Sequence, residues 1–266
     1  MKCRLRGTLG LAILVCSAMV VQAAPVQVAF ETDVVPLLTK LGCNSGGCHG
    51  KSTGQNGFKL SLLGFVPERD HVALVKEARG RRVFPGDPGN SLLLRKATSR
   101  VPHGGGRRLT EQSDDYRLLA AWIRQGAVGP RDTDRRLERL TIKPERQVLP
   151  QRQAQRLTVV AEFSDGTQRD VTRQALYLSN EPEIADVNRL GKVQTGTRGG
   201  LFAVLARYGG QMAVFRGTVP FDRKAKEFSL PERATPIDRF LAENWSRLGI
   251  EPSAEGDDYF DGPAMF

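Results

Sequence analysis

Two thiols and one imidazole fall within the run Cys43-Asn44-Ser45-Gly46-Gly47-Cys48-His49. Paired cysteines followed at once by a histidine are the donor set of covalent c-type haem attachment. The two sulfurs form thioethers to the porphyrin, and the histidine is the proximal ligand of the iron. The spacer here is Asn44 to Gly47, longer by two residues than the common form of that motif. Two other chemistries use the same side chains. Cys43, Cys48 and two histidines would suit tetrahedral zinc, and in an oxidising compartment the thiols would pair as a Cys43–Cys48 disulfide.

The start of the chain bears on that choice. Lys2, Arg4 and Arg6 form a positive segment, Leu9 to Val21 an apolar one, and Val21-Gln22-Ala23 a small-residue cleavage site. This pattern predicts an export signal over residues 1–23, too short in its apolar part for a membrane span of about 20 residues. Cys3 and Cys16 would leave with it, so Cys43 and Cys48 would be the mature chain's thiols. The charge of +10 would fall by three. The remaining cations are scattered, with pairs at Arg81-Arg82, Arg107-Arg108 and Arg135-Arg136. Without an aromatic-interleaved basic helix, they read as a solvated surface and nucleic acid is not an expected partner.

The elements that would position the donors are short helices joined by glycine-rich loops. Val34, Val35, Leu37, Leu38 and Leu41 give an apolar stripe leading into Gly42-Cys43, and Thr53-Gly54-Gln55-Asn56-Gly57 allows the tight backbone turns that wrapping a flat ring requires. Pro67 opens a second helix, Ser91 caps a third ahead of Leu92, and Tyr116, Leu119, Ala120, Trp122 and Ile123 stripe a last one ending at Gly126. The runs CNSGGCHGKSTGQNGFKLSLLGF, VFPGDPGNSLLLRKAT, VPHGGGRRL and YRLLAAWIRQGA resemble the cytochrome c-type haem domain at the start of large exported proteins of planctomycete-type bacteria, over about residues 28 to 128. That resemblance implies a small helical cytochrome c fold, with the N-terminal and Trp122-bearing helices packed together and one haem c held by Cys43, Cys48 and His49.

The second axial ligand departs from the related pattern. Where many related small cytochromes place an Arg-Met-Pro-Pro run with a methionine ligand, this chain has Arg100-Val101-Pro102-His103-Gly104-Gly105-Gly106. The four methionines, at positions 1, 19, 212 and 265, all fall outside this region, which makes His103 the candidate distal ligand. His49/His103 ligation would set a lower midpoint than His/Met ligation and leave no open site on the iron, favouring electron transfer over oxygen chemistry. His71, among charged residues at a helix start, reads as a surface histidine. The two arginine pairs 81–82 and 107–108 are candidate partners for haem propionates.

Past Gly129-Pro130 the spacing changes to alternation. Leu157, Val159, Ala161 and Phe163 occupy one strand face, Ser164-Asp165-Gly166 makes a turn, and further strands are expected at 175–178, 184–187, 201–208 and 211–219. Asp165 and Asp170 read as turn residues bonding their own backbone in preference to calcium ligands. The text from Phe163-Ser164-Asp165-Gly166-Thr167 through Gly191-Lys192-Val193 resembles the bacterial group 2 immunoglobulin-like domain, over about residues 138 to 220. Beyond it, Thr235-Pro236-Ile237-Asp238 opens a helix whose stripe, Ile237, Phe240, Leu241, Trp245 and Leu248, needs a partner. A similar stretch opens a further domain in the planctomycete-type proteins, and departure from that pattern near Tyr259 reads as truncation.

The expectation is therefore a multidomain chain, an all-α cytochrome c-like domain followed by an all-β immunoglobulin-like sandwich. Its parts would be a signal peptide at 1–23, a haem domain at 25–130, a sandwich at 136–221, and a linker with an amphipathic helix at 222–266. It would be an electron carrier and not an enzyme, located in the periplasm, cell envelope or outside the cell. Its partners would be a redox protein of the envelope and a protein or polysaccharide met by the immunoglobulin-like part.

Overall fold

A computed structural model describes residues 27–221, 230 and 233–251. The expected signal segment and the stretch around Tyr259 lie outside the described residues. Among the described residues no helix is long and apolar enough to cross a membrane.

The helical part begins with a π-turn over Phe30–Val34 that runs into α1 (Val35–Lys40), followed by α2 (Pro67–Val75), α3 (Leu92–Ala97) and α4 (Asp114–Arg124). The last is set by its sequence. Ser113 accepts a hydrogen bond from the Tyr116 amide at 3.1 Å, Asp114 and Asp115 stand in the first turn where the helix dipole favours acids, and Leu119, Ala120, Trp122 and Ile123 form the buried stripe. Trp122 meets Phe30 with ring centroids 5.4 Å apart, which ties α4 to the N-terminal turn. His71 is not a surface residue. Its Nε2 lies 2.7 Å from the Ala127 carbonyl and its ring packs edge-on to Phe30, so it joins α2 to the end of α4.

Ten strands follow: β1 (Leu137–Lys143), β2 (Arg146–Val148), β3 (Ala154–Arg156), β4 (Thr158–Phe163), β5 (Gln168–Asp170), β6 (Leu176–Ser179), β7 (Ala185–Val187), β8 (Lys192–Thr195), β9 (Gly200–Tyr208) and β10 (Gln211–Val219). Alternation does the sorting. Val159, Ala161 and Phe163 of β4 and Phe202, Val204, Ala206 and Tyr208 of β9 all face one buried core. The β9–β10 hairpin turns on Gly209-Gly210, both at positive φ, as a two-residue hairpin turn of type I′ requires.

The expected all-α domain followed by an immunoglobulin-like sandwich is corrected by this architecture: the chain is a mixed α and β fold with three separate sheets, ordered β1-β4-β5, β2-β10-β9-β6 and β3-β8-β7. The reason lies in the short segments. Pro144 and Pro150 cannot donate to a ladder, so the chain leaves β1, makes a three-residue parallel pairing of β2 with β10, and leaves again for β3 and β8. A last helix, α5 (Pro236–Leu248), returns after the strands and packs at the end of β10, where the Phe221 amide donates to the Leu248 carbonyl at 2.8 Å. Ala242 and Leu248 are buried there, while Ile237 and Phe240 remain exposed.

Helical and β residues also share a buried polar junction. Arg169 of β5 reaches Asp33 at 2.6 Å and the Thr32 carbonyl at 3.0 Å, and donates to the Tyr208 hydroxyl, which itself donates to the Thr32 carbonyl. Burial pushes the Tyr208 phenol up to about 12, above the ordinary value of about 10. A folded value above the unfolded one means that this contribution is complete below pH ~10 and is lost as pH rises towards ~12, a change of about 2–3 kcal/mol. The Tyr177 phenol is raised by burial as well and adds to the loss over the same range. Unfolding free energy from urea titrations should therefore fall over that alkaline range. Tyr208→Phe should flatten part of the fall and cost about 1–2 kcal/mol at neutral pH; a profile identical to the parent would remove Tyr208 from this role.

Candidate functional site

The motif sits in a tight turn at the end of α1. The Cys43 amide donates to the Leu38 carbonyl at 2.9 Å, Cys48 to Ser45 at 3.0 Å, and His49 back to the Cys43 carbonyl at 3.0 Å. That last bond closes the four-residue spacer and returns His49 to the cysteine where the turn began. Gly46 and Gly47 stand out as an exposed bulge. Asn44 is the inward anchor, its Nδ2 on the Thr39 hydroxyl at 2.9 Å and its carbonyl accepting from the Leu63 amide at 2.9 Å. Gly50 must be glycine, because a Cβ there would lie 2.0 Å from the Asn44 carbonyl oxygen.

Both histidines are oriented through the same nitrogen. His49 Nδ1 lies 3.1 Å from the Phe58 carbonyl, and His103 Nδ1 lies 2.9 Å from the Gly106 carbonyl. A carbonyl only accepts, so each Nδ1 carries the proton and each Nε2 keeps the lone pair that binds a metal. The two rings are within 10° of parallel, with centroids 6.4 Å apart. Gly105 lets the second ring sit close to its own loop, since a Cβ would stand 3.0 Å from His103 Cε1. Burial pushes His49 below the ordinary imidazole range, with the Phe58 hydrogen bond acting in the opposite direction. The result is a neutral imidazole.

Cys43, Cys48, His49 and His103 line one cleft, whose empty space is about 1010 Å³ with its mouth included. Leucines 38, 60, 74, 92 and 93 form apolar walls. The charged lining is Arg81, Arg82, Lys96 and Arg108, with no carboxylate among them. An occupant of this cleft should therefore be largely apolar and carry negative charge at its edge. Burial pushes the Cys43 thiol up to about 11, and an Arg108 guanidinium nitrogen lies 3.8 Å from the Cys48 sulfur. Met212, in β10 and exposed, takes no part in the lining.

The arginine pairs divide. Arg81 is exposed at the cleft, whereas Arg82 is 6% exposed and spends its donors on backbone: Nη1 on the Ala73 carbonyl at 2.8 Å and on Glu77 at 3.2 Å, Nη2 on Gly57 at 3.0 Å. Its guanidinium carbon stands 4.5 Å from the Phe58 ring centroid, and that ring lies 4.5 Å from His49. Arg82 thus holds the peptide on which His49 hangs, a role that no motif in the sequence marked. Arg107 lies outside the cleft lining, in a crevice shared with Arg189.

A porphyrin fits this donor set: two thiols and two Nε2 lone pairs, between apolar walls, with cations for its carboxylates. Zinc would instead need four donors drawn to about 2.0–2.3 Å from one point. Among the described residues no three His, Cys, Asp or Glu side chains are gathered in that way. Cys43 and Cys48 are both free thiols here.

Arg82→Met should destabilise the fold by about 3 kcal/mol or more in urea titrations, because carbonyls of Ala73, Glu77 and Gly57 lose their donor at roughly 1–3 kcal/mol each. Arg82→Lys should recover only part, since one ammonium lacks the planar fork. A loss under about 0.5 kcal/mol in Arg82→Met would show that water replaces the guanidinium and that Arg82 does not hold the loop.

No family model and no curated protein matches the chain. Among solved structures, it is similar to the S-layer protein rSbsC at 16% identity and TM-score 0.29, covering 35% of this chain and 14% of that one. A second structure, domains 4–9 of the surface layer protein SbsC, is 14% identical at TM-score 0.29, covering 37% of this chain and 17% of that one.

Proposed function

We propose that this chain is an exported electron carrier that holds one haem c in the cleft beside α1. Cys43 and Cys48 would supply the thioethers, His49 the proximal nitrogen and His103 the distal one. The observation that carries this reading is the pair of near-parallel imidazoles with centroids 6.4 Å apart, each with Nδ1 tied to a carbonyl. With each Nδ1 tied to a carbonyl, it is the two Nε2 nitrogens that would hold the iron. The bound group would supply one-electron exchange between ferric and ferrous iron.

The chain's own residues supply the rest. His49 and His103 would both be ligands of the iron and would leave it no open site, which would direct the chemistry to electron transfer and away from oxygen. The leucine walls offer an apolar surface to a porphyrin, and Arg81, Lys96 and Arg108 on the lining would pair with its propionates. Imidazole in place of a thioether as the distal ligand lowers the midpoint relative to His/Met carriers. The positive and apolar N-terminal segment supports export, and with it location in the periplasm, envelope or exterior. A redox protein of the envelope is the partner that this reading calls for.

Protein made in a host with c-type maturation should show a Soret band and a reducible low-spin spectrum, and its pyridine haemochrome should be that of a c-type haem. A colourless protein with stoichiometric zinc, or one whose mass reports a Cys43–Cys48 disulfide, would overturn the proposal. His103→Ala should convert the spectrum to a high-spin or ligand-accepting form; an unaltered spectrum would take His103 out of the axial position.

A further inference from the structure

An antiparallel sheet that covers a core on one side ordinarily turns polar residues to water on the other. The β2-β10-β9-β6 sheet, antiparallel except for β2, mixes apolar residues with arginines there. Its core side carries Phe202, Val204, Ala206 and Phe215. On the other side the register sets Leu178, Leu205 and Val214 side by side across three strands, and Leu201, Thr218 and Val148 in a second row. Leu178 is 55% exposed, Met212 55%, Leu201 48% and Val148 44%. The Leu178 row is continuous across three strands, and the row of Ala203, Arg216 and Arg146 separates it from Leu201 and Val148, which flank the buried Thr218.

Charge on this face has one sign. Arg216 lies directly opposite Arg146 in the register, an arrangement that is unfavourable between neighbouring strands, and Arg207 stands opposite Met212. The strands of this sheet contain no aspartate or glutamate. None of the three arginines enters an ion pair among the described residues. The Nε of Arg207 is buried without a hydrogen-bond partner. We infer that this face docks an acidic polypeptide, whose apolar side chains cover the Leu178 and Leu201 rows and whose carboxylates pair with Arg146, Arg207 and Arg216.

Charge complementarity selects that occupant. A second copy meeting the same face across a two-fold axis would bring arginine against arginine. A polyuronate would supply carboxylates and leave the leucine rows bare. The face ends beside the haem-bearing turn, since Leu176, in the same row as Arg207, lines a crevice together with Gly42 and Arg108. A docked partner would therefore sit next to the cleft. Its docking does not depend on haem, so the test is separable from that of the proposed function.

The probe is a short peptide alternating leucine and glutamate, titrated against the full chain by fluorescence anisotropy, with a leucine–lysine peptide, alginate and phosphatidylglycerol vesicles as comparisons. The acidic peptide should bind and the lysine peptide should not. Leu178→Ser and Arg216→Glu should each weaken binding by about tenfold, while Arg139→Glu, on β1 of another sheet, should leave it unchanged. Unaltered helix and strand content in circular dichroism qualifies each variant. Equal binding of both peptides, or no effect of Leu178→Ser, would overturn the inference. So would alginate or vesicle binding stronger than peptide binding, or a dimer in light scattering that Leu178→Ser dissolves.

Discussion

A buried guanidinium whose hydrogen bonds go to backbone carbonyls, and which enters no ion pair among the described residues, is the constraint around which the site is arranged. Removing Arg82 from water costs free energy that only hydrogen bonds can offset, and three backbone carbonyls from two separate segments supply them. Those segments are the end of α2 and the loop at Gly57. Once they converge on Arg82, the Phe58 carbonyl is held where the His49 Nδ1–H must meet it, and the position of the imidazole follows. The cation has a second effect. It adds to the positive lining of the cleft without being consumed by an acid, so the field inside favours an anionic occupant.

The long spacer between the cysteines finds its explanation in one hydrogen bond. Because the His49 amide reaches the Cys43 carbonyl, the extra residues are absorbed as an outward bulge at Gly46 and Gly47 and do not separate the donors. Asn44 prevents the turn from opening inward, since its side chain and carbonyl are engaged by Thr39 and Leu63. The same economy governs the histidines. Each has one nitrogen committed to a backbone carbonyl within its own loop, which fixes the tautomer and leaves the other nitrogen for a metal.

Much of this could be read from the chain, and the limits have physical causes. The α4 helix announces itself through its Ser113 cap and its Leu119, Trp122 and Ile123 stripe, and β4, β9 and β10 through strict alternation. Periodicity carries no information about which strand pairs with which. The three-residue strands β2, β3, β5 and β7 are too short to show a period, and the prolines between them disperse the chain over three sheets where two were expected. The four side chains that share the cleft, Cys43, Cys48, His49 and His103, were legible as candidates because such a combination is rare. Arg82 was not, because Arg81 beside it is the same residue type, and the carbonyls that separate their roles belong to the backbone, which leaves no mark in a sequence. His71 failed for a related reason: its charged neighbours in sequence suggested solvent, but its partners, Phe30 and Ala127, are distant in the chain.

The mixed architecture also bears on the proposed electron transfer. A carrier works best when its ligands need not move between oxidation states, since preorganised groups add no reorganisation at the moment of reaction. His49 is braced from one side by Phe58 and Arg82. On the other side, an Arg108 guanidinium nitrogen lies 3.8 Å from the Cys48 sulfur, and Arg108 lines a crevice together with Leu176 and Tyr177 of the β-rich part. That wall is held against the helices by the Arg169, Asp33, Tyr208 and Thr32 network. The strands thus act as a brace for the turn that carries the cysteines. Loosening the junction would weaken that brace, because Arg108 lines both the cleft and the crevice beside β6.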